Sequence, residues 1–118
     1  MIKSYEDLKV YRMSYESSLK IHRMSLTLPQ IEQQELGRQI RRATKSIPMN
    51  IAEGYGKKSS AAEFKRYITM ALGSNNEVLV QLKYCLDLEY ITETEYRMHE
   101  STHVEIGKML SGILSKWH

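Results

Sequence analysis

Hydrophobic residues recur every three or four positions along most of the chain, which is the spacing of one face of an α-helix. The pattern predicts four helices, from about Tyr5 to Thr27, from Ile31 or Glu32 to Glu53, from Ala61 to Leu88, and from Thr92 almost to the last residue. The sequence carries no strand pattern, and the predicted loops are short. It therefore predicts an all-α, up-down-up-down four-helix bundle that forms one domain over residues 1–118.

Each predicted helix has an apolar seam that would face a common core. The first seam comprises Leu8, Tyr11, Tyr15, Leu19, His22 and Leu26; the third comprises Phe64, Ile68, Ala71, Leu72, Val78, Leu82, Cys85 and Leu86; the fourth comprises Ile106, Met109, Leu110, Ile113 and Trp117. Ser4, Ser60 and Thr92 each precede an acidic residue by three positions, which is the spacing of an N-terminal capping box.

The second helix carries the most informative pattern. Its apolar side holds Leu36, Ile40, Ala43, Ile47 and Ile51. Its opposite side is basic, with Arg38, Arg42 and Lys45 one turn apart and Arg41 on the flank.

Pro48 lies inside the second helix, so we expect a kink near Thr44 to Ile47. Gly54 and Gly56 are expected to end the helix, because glycine adopts the left-handed stop conformation readily. Ser46 and Asn50 form a polar line between the two faces. Asn50 and Glu53 could satisfy backbone groups freed by the proline or a buried arginine. Glu53 could instead be a general base, although the sequence suggests no partner for it.

Charge is distributed unevenly along the chain. The net charge is +3, but residues 1–60 hold eleven Lys and Arg against six Asp and Glu. Residues 61–118 hold six basic against eight acidic side chains, and residues 38–66 hold eight against two. A local positive field of this kind favours a phosphate-rich or acidic partner. The alternative is that these side chains only solvate helix faces.

Other features limit the possible chemistry and location. No apolar run approaches the roughly 18 residues that a membrane helix needs. The N-terminus lacks a signal-peptide core, and the single Cys85 excludes an internal disulfide framework, so we expect a cytoplasmic protein without membrane association. Cys85 occupies a predicted core position, which favours a structural thiol over a nucleophile. Eight tyrosines against one phenylalanine suit half-buried positions or a subunit interface.

His99 and His103 lie one turn apart, and Glu100 with His103 forms an E-x-x-H unit of the kind found in di-iron bundles. Such a site needs a second E-x-x-H unit, which this sequence lacks. We therefore expect a packed histidine pair, no metal and no cofactor. A phosphate-binding glycine loop is also absent from the sequence.

The basic side of helix two is the strongest candidate functional surface. Arginine offers phosphate a bidentate fork, and lysine offers it a point charge. The candidate nucleic-acid-binding residues are Arg38, Arg41, Arg42, Lys45, Lys57 and Lys58, and Lys65 and Arg66 could extend the surface. Two structural interpretations stay open. Arg41 or Arg42 could pair with Glu53 or an acid of a neighbouring helix, or the whole face could contact another subunit.

The stretch QIRRATKSIPMNIAEGYGKKSSAAEFKRYITMALGSNNEVLVQL resembles the 23S rRNA intervening-sequence protein family, also called the four-helix bundle protein family. The opening SYEDLKVY and the later LEYIT are also similar, so the resemblance covers nearly the whole chain. The chain departs from the family pattern at Lys57 and at Asn75-Asn76. The matching positions are Arg41, Arg42, Ala43, Ser46, Ile47, Pro48, Asn50, Ile51, Ala52, Glu53, Gly54, Gly56, Glu63, Phe64, Gly73, Ser74, Glu77, Gln81 and Leu82.

The resemblance implies a bundle that assembles as a ring, a homopentamer. Some members of the family are encoded within intervening sequences of ribosomal RNA genes, so the name "ribosomal protein" denotes gene location. A protein of similar fold, the accessory variability determinant of diversity-generating retroelements, binds nucleic acid and partners a reverse transcriptase.

Three hypotheses follow. The first is a non-enzymatic oligomeric bundle that binds RNA or DNA through phosphate contacts, without reading sequence. The second is a protein-interaction scaffold for a nucleic-acid enzyme, suggested by tyrosines and Met49 on outer faces, with the basic face used in assembly. The third is an enzyme or metal protein that uses His99, Glu100 and His103.

Overall fold

The computed structural model describes residues 1–117, and four long helices make up most of it. They are α1 (Lys9–Ser25), α2 (Leu36–Gly56), α3 (Ala61–Asp87) and α4 (Glu93–Lys116). Short 3-10 helices at Tyr5–Asp7 and Gln30–Glu32 precede α1 and α2. Within the described part of the chain there is no strand, so the predicted all-helical class is confirmed.

Each helix packs against its neighbours in chain order, and α4 returns to contact α1. The result is a four-helix bundle with dimensions of 44 × 24 × 20 Å. Its core is aliphatic, and the fully buried side chains include Ile21, Ile40, Ile47, Ile51, Ile68, Val78, Leu82, Ile106 and Leu110. The predicted apolar sides of α2, α3 and α4 thus supply the core. Trp117, the last residue of the predicted seam of the fourth helix, is exposed, and its ring packs on Phe64.

The predicted seam of the first helix is only partly correct, since Leu8 and Tyr11 pack partly buried against the core but three other members do not. Tyr15, Leu19 and Leu26 are exposed by 47%, 39% and 58%. The buried face instead comprises Val10, Ser14, Ser17, Ser18, Ile21, Met24 and Ser25. Ser14, Ser18 and Ser25 can occupy it because their hydroxyls bond back to the carbonyl three residues earlier, which satisfies the polar group locally. The Ser17 hydroxyl bonds instead to His103 of α4. Small side chains on this face also leave room for α1 to lie close to its neighbours.

Two predicted helix starts are also wrong. The capping box of Ser4 and Asp7 forms, but it caps only the 3-10 helix, and α1 begins afterwards at Lys9. The α2 helix begins at Leu36, several residues later than predicted, because a 3-10 helix and a turn follow Pro29. At α4, by contrast, the capping box of Thr92 and Glu95 forms completely, as predicted.

At α3 only half of the predicted capping box forms. The Ser60 hydroxyl accepts the backbone N–H of Glu63, while the Glu63 carboxylate pairs with Arg66 at 2.9 Å. The N-terminus of α3 is therefore capped by one side chain rather than reciprocally.

The second helix ends at Gly56, as predicted, but Gly54 does not end it and the predicted left-handed conformation is wrong. The α2 helix continues through Pro48 to Gly56, and none of the glycines in residues 1–117 has a positive φ. Gly54 lies buried inside the helix, where an added Cβ would come within 2.9 Å of the Tyr67 Cβ. Gly54 is thus required for the close approach of α2 and α3. The helix is unbroken at Pro48, and the kink stays a prediction.

Candidate nucleic-acid interface

The outer face of α2 is basic along its first half. Arg38, Arg42 and Lys45 are all exposed and lie on one helical face. The ion pairs among residues 1–117 are Arg66–Glu63, Lys83–Asp87 and Arg97–Glu93, so none of the three cations on α2 is neutralised by a carboxylate there. We call Arg38, Arg42 and Lys45 the α2 basic face.

Arg41 differs from these three because protein groups already engage its guanidinium. One nitrogen donates to Ser25 Oγ at 3.0 Å and to Gln33 Oε1 at 3.3 Å, and the other donates to the Gln33 carbonyl at 2.6 Å. Gly37 makes room for this arrangement, since a Cβ there would lie 3.0 Å from the Arg41 Nη1. Arg41 therefore ties the end of α1 and the following turn to α2, and its partners are neutral groups rather than Glu53.

Lys57 and Lys58 follow the C-terminus of α2 and are exposed. The Lys58 ammonium lies 3.9 Å from the centroid of the Tyr55 ring, and the Lys57 ammonium lies 5.5 Å from that of Tyr67. These cation–π contacts and the negative end of the helix dipole both stabilise lysines at this position. The two side chains have a structural role of their own while their charges face solvent.

His22 lies partly buried beside the positive charges of this region. Burial lowers the pKa of His22, and the charges of Lys45, Arg41 and Arg23 lower it further. The buried Nδ1 of His22 has no hydrogen-bond partner among the described residues. His22 therefore lies beside the α2 basic face as a neutral imidazole near pH 7.

The predicted polar line of α2 joins α2 to α3. Ser46 Oγ lies 2.5 Å from Ser74 Oγ and 2.9 Å from the Ala43 carbonyl oxygen. The Asn50 amide donates to the Ser46 carbonyl at 2.9 Å, one turn back along the same helix. Glu53, one turn after Asn50, is exposed.

A groove between α1 and the second half of α2 was not predicted. It has a volume of about 850 Å³, and Tyr5, Tyr11, Tyr15, Lys45, Met49 and Lys57 are among its lining residues. Sequence reasoning missed it because it placed Tyr11 and Tyr15 in the core seam of the first helix. The serines at positions 14, 17, 18 and 25 were the available signal, since they recur with helical spacing alongside Val10, Ile21 and Met24.

His99 and His103 are buried in the bundle, at 4% and 0% exposure. His103 Nε2 lies 2.7 Å from Ser17 Oγ, and its Nδ1 lies 2.8 Å from Asn75 Oδ1. Burial lowers the pKa of His103 to about 4, with a smaller contribution from His99. Glu100 is engaged elsewhere, because it accepts a hydrogen bond from the Tyr96 hydroxyl at 2.7 Å. Across residues 1–117 no three His, Cys, Asp or Glu side chains are grouped to hold a metal ion.

Cys85 is fully buried, and burial raises its pKa to about 11, with a smaller effect from Glu32. The thiol is therefore protonated near neutral pH, which fits a packing role. None of the helices in the described part of the chain combines the length and apolar character needed to cross a membrane.

The comparisons with known proteins agree with the four-helix fold. A sequence profile of the 23S rRNA-intervening sequence protein family matches residues 6–112. The chain belongs to that family. A crystal structure from Bacteroides thetaiotaomicron, described as a protein of unknown function from the S23 ribosomal protein family, superposes with a TM-score of 0.82 at 30% identity. The match covers 91% of this chain and 96% of that one. No curated protein matches the chain in sequence.

Membership in the 23S rRNA-intervening sequence protein family confirms the resemblance drawn from the sequence. The similarity to the retroelement accessory determinant is an additional expectation, and it stays a prediction.

Proposed function

We propose that this protein is a non-enzymatic, oligomeric four-helix bundle that binds RNA or DNA through phosphate contacts on the outer face of α2. The observation that carries the proposal is the α2 basic face: Arg38, Arg42 and Lys45 are exposed, share one face and have no carboxylate partner among residues 1–117. Phosphate contacts of this kind position a nucleic-acid backbone without reading its sequence.

Lys57 and Lys58 extend the proposed contact surface beyond the helix end. Arg41 has a different role in this proposal. Because its guanidinium is bonded to Ser25 and Gln33, it supports the turn before α2 and leaves phosphate binding to its neighbours. The proposed contact residues are therefore Arg38, Arg42, Lys45, Lys57 and Lys58.

The proposal is tested by removing three charges from α2 and three from elsewhere. Arg38→Gln, Arg42→Gln and Lys45→Gln are combined in one variant. The matched control combines Lys9→Gln, Lys108→Gln and Lys116→Gln, which are exposed lysines on α1 and α4. Affinity for a duplex DNA and a structured RNA is measured at low salt. The first variant should lose most of its affinity and the control should retain it. The proposal is overturned if the α2 variant binds each nucleic acid as tightly as the control variant does.

We also propose that the bundle assembles with copies of itself as a ring, a homopentamer. Support comes from an exposed apolar stripe on α3, where Val80 and Tyr84 are each 57% exposed and Leu88 is 49% exposed at intervals of four residues. Exposed apolar stripes of this kind are typical of subunit contacts. Sedimentation equilibrium should give a mass of about 69 kDa, five times the 13.8 kDa chain. Tyr84→Glu should dissociate the ring, and a monomeric wild-type protein would contradict this assembly.

The second candidate function is a scaffold for a nucleic-acid enzyme, with the α2 basic face used in assembly. The exposed Met49, at 68%, beside Tyr15 favours it, because flexible apolar side chains on an outer face suit a protein partner. The scaffold predicts a stable protein partner in a pulldown and no nucleic-acid binding by the purified protein. The absence of such a partner would count against it.

A further inference from the structure

The groove between α1 and α2 lies on the same face of α2 as the three basic side chains. Lys45, Met49, Ala52 and Gly56 line it, and they continue the helical spacing that begins at Arg38. A nucleic-acid strand bound along the basic face would therefore continue into the groove in the same direction. Its volume of about 850 Å³ falls in the usual range of roughly 300–1,000 Å³ for pockets that hold a small organic group.

One wall of the groove is aromatic. The rings of Tyr11 and Tyr15 are stacked, with 6.0 Å between centroids and an angle of 20° between planes. Tyr5 packs edge-on against Tyr11 at 4.8 Å. Tyr15 ends this row of rings and is 47% exposed, so the row leaves aromatic surface open to the groove.

The opposite side of the groove, formed by α2, is open because two of the side chains that line it are small. Ala52 and Gly56 line the groove, and an added Cβ on Gly56 would meet no atom within 4 Å. Met49, which is 68% exposed, stands beside this gap. A thioether side chain adapts its shape to a flat ring and makes favourable contacts with it.

The charges of the groove are arranged in a definite order. Lys45 and Lys57 line its two ends, about 18 Å apart along the helix at a rise of 1.5 Å per residue. Glu53 lines it between them. A carboxylate repels phosphate, so phosphate groups are favoured at the two ends and a neutral ring is favoured in the middle.

We propose that this groove binds a short unpaired segment of nucleic acid, with one base stacked on Tyr15 against Met49 and the phosphates at the two ends of the segment near Lys45 and Lys57. This inference rests on the proposed function and specifies its ligand as nucleic acid with an unpaired segment. Aromatic side chains beside a positive groove are the usual elements of single-strand recognition. A continuous duplex keeps its bases stacked internally, so it reaches the α2 basic face but places no base in the groove.

The test compares two nucleic acids on the full-length protein. One is an unstructured single strand with a single 2-aminopurine, whose fluorescence falls when the base stacks. The other is a blunt duplex with the same number of phosphates. Tyr15→Ser should weaken single-strand binding roughly tenfold and abolish the fluorescence change, because an aromatic stacking contact is lost. Its affinity for the duplex should stay within twofold of wild type.

Two further variants make the comparison specific. Tyr15→Phe keeps the ring and should restore single-strand affinity and the fluorescence change. Leu19→Ser is the control, because Leu19 is exposed one turn further along α1 and does not line the groove. It should bind both nucleic acids as wild type does. Thermal unfolding of each variant establishes that it is folded.

The outcomes separate the groove from the proposed function. If Tyr15→Ser binds the single strand as wild type does, or loses affinity equally for both nucleic acids, the groove inference is overturned while binding by α2 stands. If Tyr15→Ser instead changes the sedimentation mass, the groove holds a second copy of the chain and the inference is overturned. If the wild-type protein binds neither nucleic acid at low salt, the proposed function and the inference both fail.

Discussion

His103 Nε2 and Ser17 Oγ lie 2.7 Å apart in the interior of the bundle, and they join α4 to α1. The other ring nitrogen of His103 bonds to Asn75 of α3, and the Asn75 amide donates to the His103 carbonyl at 2.8 Å. Both hydrogen-bonding positions of the imidazole are therefore occupied by neutral groups. A buried polar network that is fully paired favours one arrangement of its helices over alternatives.

This network predicts a loss of stability in acid. An unfolded histidine titrates near pH 6.5, whereas burial lowers the pKa of His103 in the folded protein to about 4. Between these values the unfolded chain binds more protons, so the free energy of unfolding should fall as the pH drops from 6.5 towards 4. The contribution that is present above pH 6.5 is on the order of 3 kcal/mol. Urea unfolding at a series of pH values measures it.

His22 and His99 also have lowered pKa values, mainly through burial, and they act in the same direction. His103→Gln should therefore flatten the pH dependence without removing it entirely. An NMR titration of the folded wild type provides a direct check, since the His103 ring should stay neutral down to about pH 4. A ring that titrates near 6.5 would contradict this account of the network.

Gly54→Ala should destabilise the bundle. Its Cβ would lie 2.9 Å from the Tyr67 Cβ and 3.4 Å from the Phe64 carbonyl oxygen, and neither atom can move without shifting α3. Overpacking of this kind costs about 1–3 kcal/mol, and alanine recovers up to about 1 kcal/mol in helix propensity. Gly73→Ala is the matched control, because the same Cβ there meets nothing within 4 Å. It should stabilise the protein in urea unfolding. If Gly54→Ala instead stabilised the protein, α2 and α3 would be packed less closely at this position than the structure shows.

Nucleic-acid binding should raise the pKa of His22. Burial is the main cause of its lowered pKa, but the charges of Lys45, Arg41 and Arg23 also contribute. A phosphate bound at Lys45 offsets part of this positive field, so the imidazole should accept a proton at higher pH. NMR titration of the histidine rings with and without saturating duplex measures the change. His99, on α4, is the internal control and should not shift. An unchanged His22 in a saturated complex would place the phosphates away from Lys45.

The sequence was sufficient to predict the class of fold and most of the core. On α2 the apolar and basic sides are both strong and lie opposite each other, so their placement followed from periodicity. On α1 the pattern was ambiguous, because large apolar residues and small serines each recur with helical spacing. The largest apolar residues were assigned to the core, but close packing favoured the serines, three of which bond to carbonyls of their own helix.

Other details depend on contacts between residues distant in the chain, which periodicity does not contain. Gly54 was interpreted by its local preference for a helix end, whereas its position is set by Tyr67 on the facing helix. Periodicity placed Arg41 on the flank of the basic side, but it did not show what the guanidinium contacts. Only the fold brings Ser25 and Gln33 within hydrogen-bonding distance of Arg41.

The most direct test of phosphate binding by α2 is the salt dependence of duplex affinity. A log–log plot of the binding constant against salt concentration has a slope of about −0.9 for each phosphate contact. The wild type should show a steep slope, and Arg38→Gln, Arg42→Gln and Lys45→Gln should each reduce its magnitude by about 0.9. Slopes that are unchanged in all three variants, or no binding at low salt, would contradict the assignment of the α2 basic face as a nucleic-acid contact surface.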